Sequence, residues 1–201
     1  MKHHILPLAT ATLILATDFA SAQQSHDPTW PCVQRKQPHL SLGQMWSGPQ
    51  PDDATAKMAR EPEVRRLAAF IEQRRVPMEE AEAQIAAFAA NADNTRLTAL
   101  MQAVFNRIDP DRTALIDGIA RYGTSQENLA DRIKTRRAKM AELKSVETPD
   151  FDAIDAEEKA LDWDERIFDD RRRSLTYVCE TPVLLEQRAF AVGRAIAAHL
   201  K

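Results

Sequence analysis

Cys32 and Cys179 are the residues best able to make or break covalent bonds in this chain, and they are its two cysteines. Thioredoxin-like redox chemistry uses two sulfurs in a Cys-x-x-Cys motif, where one thiolate resolves what the other attacks. These two are separated by most of the chain, and no Cys-x-x-Cys-His haem-attachment run is present. The pair is read as a structural disulfide. It would close a loop of about 147 residues, worth roughly 5 kcal/mol as an upper bound in the chain-entropy picture. Cys32 also falls among His26, His39 and Met45, a set of soft ligands of the kind copper takes. Bonding to Cys179 would remove the thiolate from that set. Metal ligands are therefore not assigned and no cofactor is implied, with a small-ligand or metal-binding protein as the competing reading.

Other catalytic patterns do not form. The histidines beyond the first 22 residues are His26, His39 and His199, and none belongs to a His-Glu-x-x-His pair that would hold zinc on one helix face. There is no Gly-x-Ser-x-Gly elbow and no Walker loop. Asp109-Pro110-Asp111 starts like a calcium loop, but Ala114 and Ala120 stand where that loop needs Gly and Glu. Its Asp and Pro read instead as a helix cap. The glutamates offer no nominated catalytic pair, since acids on charged helices are mostly surface groups. The expectation is a non-enzymatic protein, with no catalytic residue assigned.

The compartment is read from the first 22 residues. Lys2, His3 and His4 precede an apolar run from Ile5 to Ala16, and Ala20-Ser21-Ala22 is a small-x-small cleavage site. We read 1–22 as a secretory signal peptide. The run is shorter than the roughly 20 residues that span a bilayer, so no stable membrane insertion is expected. A periplasmic or secreted protein follows, in a space where two cysteines oxidise. A formal net charge of −3 supplies no electrostatic ground for binding nucleic acid.

The elements that must position these residues are helices. The chain has five glycines, many Ala, Glu, Arg and Leu residues, and no apolar–polar alternation long enough for a sheet. Proline placement predicts helices over 62–75, 77–91, 94–108, 110–146, 149–179 and 182–200. Asp109, Thr148 and Thr181 would cap the helices begun by Pro110, Pro149 and Pro182. The pattern also allows a short helix near 53–60. Residues 23–52 contain five prolines together with Trp30 and Trp46, and read as an extended arm packed over the helices. The fold class expected is all-α: one helical domain over 53–201, with a long antiparallel coiled-coil-like hairpin at 110–179 and a proline-rich arm.

The hairpin carries the strongest periodicity. Leu115, Ile119, Tyr122, Gln126, Leu129, Ile133, Arg136, Met140 and Leu143 step by four and three along its first arm. Phe151, Ile154, Glu158, Leu161, Glu165, Phe168, Arg172, Leu175 and Cys179 do so along its second. Folding near Glu147 sets Leu143 opposite Phe151, Met140 opposite Ile154 and Arg136 opposite Glu158. Gly123 is a weak point costing about 1 kcal/mol, but the phase continues through it, which favours one helix. The basic stretch from Arg132 to Lys144 then lies opposite acids from Asp150 to Asp162, so its charge reads as pairing within the hairpin. Arg171, Arg172 and Arg173, after Asp169 and Asp170, read as a solvated, salt-bridged face.

Together these features describe an exported adaptor or accessory protein. Its partner is expected to be an unidentified periplasmic protein, met by the hairpin or the arm, with Trp30, Trp46, Arg136 and Glu158 as candidate contacts. The two seams also satisfy the same contacts when exchanged between two chains, so a homodimer remains an alternative.

Overall fold

The computed structural model describes Asp27 and residues 29–201, which are helical without a strand. The elements are α1 (Leu42–Met45), α2 (Asp53–Met58), α3 (Pro62–Ile71), α4 (Met78–Ala89), α5 (Asn94–Ser145) and α6 (Phe151–Ala197). The all-α fold with a long helical pair is as expected. The signal-peptide reading of 1–22 and the placement of His26 lie outside the described residues.

Local chemistry explains the starts. Asp52 accepts the Thr55 amide while Thr55 Oγ1 accepts the Asp52 amide, a reciprocal cap that opens α2. Pro62 occupies the first position of α3, where its missing N–H costs nothing. Asp93 accepts the amide of Arg96 at the head of α5, and Asp150 that of Ala153 at the head of α6.

Two expected helix starts are absent. α5 runs through Pro110 and α6 through Pro182, so 94–108 and 110–146 are one helix, as are 149–179 and 182–200. A helix-interior proline removes one backbone bond and costs about 3 kcal/mol. Tertiary contacts overrule that preference here. Asp109, expected to cap a new helix, accepts the Leu40 amide at 2.7 Å and so fastens the arm. Thr181 does not cap either, its hydroxyl donating back to the Tyr177 carbonyl. As expected, α5 passes unbroken through Gly123.

The core sits at the base of the helical pair. Leu97, Leu100, Met101, Val104 and Ile108 of α5 meet Val192 and Ile196 of α6, with Val64, Ile71 and Ile85 brought in by α3 and α4. The arm is not extended throughout, because Leu42–Met45 forms one helical turn that delivers Met45 and Trp46 into this core. Gly193 allows the approach, since a methyl group there would strike the Met45 carbonyl. Arg188 is buried beneath, donating to the Ile71 carbonyl at 2.8 Å and the Val76 carbonyl at 2.9 Å. These bonds close the end of α3 and the turn after it. Beyond Pro110 and Pro182 the two long helices leave the core and continue as a hairpin of about 50 Å, at 1.5 Å per residue.

Candidate interaction surface

The hairpin is held by its own seam. Ile116, Ile119, Leu129, Ile133 and Met140 of α5 are buried, as is Ile154 of α6. The register is fixed by side chains that reach across: Tyr122 Oη donates to the Arg171 carbonyl at 2.9 Å, and Gln126 Nε2 to that of Phe168 at 3.3 Å. Burial raises the Tyr122 pKa.

The α6 side of this seam differs from the expected one at alternate positions. Ile154, Leu161, Phe168 and Leu175 face inward, but the intervening places are taken by Glu157 and Asp164, which are buried. Glu158 is exposed, so the expected pairing with Arg136 does not form. Arg136 instead binds Glu157 and Asp164, both at 2.8 Å. Arg132 joins it on Asp164 at 2.8 Å, and Lys139 on Glu157 at 2.7 Å. Phe151, expected against Leu143, is 74% exposed at the hairpin tip. Taking Phe151 as a seam residue shifted the phase, and acids carry no apolar signal that would have corrected it.

This ladder has a defined electrostatics. Lys139 first, then Arg136, hold the Glu157 carboxyl below its usual range. Arg132 first, then Arg136, do the same for Asp164. The two carboxylates have little solvent surface because the cations cover them. Arg137 pairs with Glu165 on the outside, and Arg172 and Arg173 pair with Asp169 and Asp170 one turn away. The basic stretch is thus largely answered within the hairpin.

The arm is fixed at three levels. Cys32 and Cys179 form the disulfide, with their Cα atoms 5.6 Å apart. Nearer the tip, the Thr29 backbone lies against Gly123, where a Cβ would collide with the Thr29 carbonyl. Nearer the base, Arg112 donates to the Gln37 carbonyl at 2.6 Å, and Thr113 to that of Pro38 at 2.8 Å. Of the two arm tryptophans, Trp30 is half-buried, its indole N–H turned back to the Gln34 carbonyl. Trp46 is 4% exposed and donates to the Pro49 carbonyl, so it is a core side chain rather than a surface contact. Trp163, which sequence reading passed over, is 59% exposed on α6.

The soft-ligand set does not come together. Cys32 is in the disulfide, Met45 is buried in the core, and His39 sits on Asp109 at 3.3 Å. Among the described residues no cluster of three His, Cys, Asp or Glu side chains is placed to hold a metal. A cleft of about 450 Å³ lies between the arm and α6, with Gln34, Arg112, Glu186 and Phe190 among its walls. A groove of about 690 Å³ between α4 and α6 is walled by alanines, with Glu82, Arg194 and His199 also lining it. No described helix is long and apolar enough to cross a membrane. Comparison with protein-family models, curated proteins and solved structures finds no match.

Proposed function

We propose that this protein is an exported, non-enzymatic adaptor that meets another periplasmic protein through its projecting hairpin and disulfide-anchored arm. The observation that carries this reading is the length of helix beyond the core. The hairpin closes on its own seam of buried apolar side chains and ion pairs and ends in exposed apolar groups, Val146 at 49% and Phe151 at 74%. A fold needing only stability gains little from exposing such groups at the end of a lever, whereas a docking tip uses them. Export is supported by the first 22 residues and by the Cys32–Cys179 bond.

The test is site-directed crosslinking in periplasm. A photo-reactive residue at position 151 is expected to trap one discrete partner, and Val146→Asp is expected to abolish the adduct. Failure to trap a partner at the tip and at Val33, which is 98% exposed on the arm, overturns the reading. A second reading, a periplasmic small-ligand or metal-binding protein, rests on the cleft beneath the arm. Titration with copper and zinc, read by calorimetry, separates it from the first.

A further inference from the structure

A second seam runs along one flank of α6, about 100° around the helix from the face turned to α5. Trp163, Asp170, Tyr177 and Leu184 recur at every seventh position. Ala160, Ile167, Ser174 and Thr181 recur three residues before them. Alternating steps of three and four keep such a set on one stripe of a supercoiled helix. Asp170 is the one charge among the eight. Trp163 is 59% exposed, Tyr177 76% and Leu184 44%, with Asp170 and Ser174 also exposed, while Ala160, Ile167 and Thr181 are half-buried. The arm does not reach it. Cys179 lies two residues from both Tyr177 and Thr181, about 200° around the helix, which pins the arm to the opposite side.

We propose that this stripe is the interface of an antiparallel homodimer, α6 packed on α6 of a second copy about a two-fold axis near Arg172 and Arg173. Overlapping the whole stripe with itself sets Trp163 against the partner's Thr181 and Ala160 against the partner's Leu184, each a large group over a small one. Ile167 meets the partner's Tyr177, and Asp170 meets the hydroxyl of the partner's Ser174. The flank favours a second copy: the same overlap brings Arg166 opposite the partner's Glu180, twice by symmetry, and Arg173, which meets its own copy at the axis, is already neutralised by Asp170. Neither side chain has an ion-pair partner among the described residues, whereas their neighbours Arg172 and Arg173 are bound to Asp169 and Asp170. A second copy therefore satisfies a charge pair that each chain leaves open. The interface uses the flank of the hairpin and leaves the tip and arm free, so it stands independently of the adaptor reading.

The experiment is sedimentation equilibrium of the purified, oxidised protein at up to about 100 μM, a range that captures weak isologous contacts. The expected mass is twice that of one chain. Trp163→Ala and Arg166→Glu should each weaken association about tenfold or more, and adding Glu180→Arg to Arg166→Glu should restore it. All three positions are exposed, so folding is preserved and is checked by circular dichroism. Arg173→Cys, beside the axis, should join two chains through a short bismaleimide, and Thr135→Cys on α5 should not. A single-chain mass throughout overturns the proposal. So does a dimer indifferent to the charge swap.

Discussion

Arg112 Nε donates to the Pro182 carbonyl across the helical pair, at 3.3 Å, from a side chain that is almost wholly buried. The same guanidinium reaches the Gln37 carbonyl of the arm and Glu186 of α6. It stands two residues from Pro110, so the interior prolines of both long helices lie at one level, and the arm crosses there. Arg112→Met should leave the Gln37 carbonyl without its donor, remove the extra bond to the Pro182 carbonyl, and cost about 1–3 kcal/mol. Arg112→Lys should recover little, because an ammonium lacks the planar fork that reaches the arm and α6 together. Urea unfolding of the three proteins measures this.

Gly123 tests whether the arm or the helix dominates at their crossing. Alanine gains about 1 kcal/mol of helix propensity, but its methyl group would displace the Thr29 carbonyl. Gly123→Ala should therefore keep its helical circular dichroism while the arm becomes more susceptible to limited proteolysis between residues 29 and 36.

Removing the disulfide acts at the same place by another route. The Cys32→Ala/Cys179→Ala protein should lose about 2–5 kcal/mol and show the same arm cleavage. The core, anchored separately by Trp46 and Met45, should stay folded. Thermal unfolding and proteolytic mapping on one sample check both points.

The ladder at the outer hairpin should make it acid-sensitive. Glu157 and Asp164 have pKa values depressed by their cations, so their contribution is complete above the unfolded carboxylate range and is lost as pH falls through the folded values. Loss should begin below about pH 4. Amide exchange across residues 129–143 should accelerate there before the core around Leu100 opens. In Asp164→Asn the hairpin should be weakened at pH 7, with a flatter acid response.

Much of this architecture was legible along the chain. Regular apolar steps from Leu97 to Met140 and from Ile154 to Ile196 mark helices, since only a 3.6-residue turn collects them on one face. The two cysteines pointed to their pairing because so few partners existed. Gly123 was legible too, because the heptad phase continues through it. These properties reside in local spacing and composition.

Tertiary structure decided the rest. Pro110 and Pro182 look like starts by local chemistry, yet each lies inside a helix whose neighbours outweigh one lost bond. Glu157 and Asp164 enter the seam because Arg132, Arg136 and Lys139 come from the other helix to meet them, and no one-dimensional apolar pattern contains that encounter. Trp46 and Trp163 are the same residue type; one is buried in the core beside Gly48, and the other is exposed on α6 beyond the core. Burial depends on what arrives from elsewhere in the chain, so spacing fixes which face a residue occupies and only packing determines whether that face is covered.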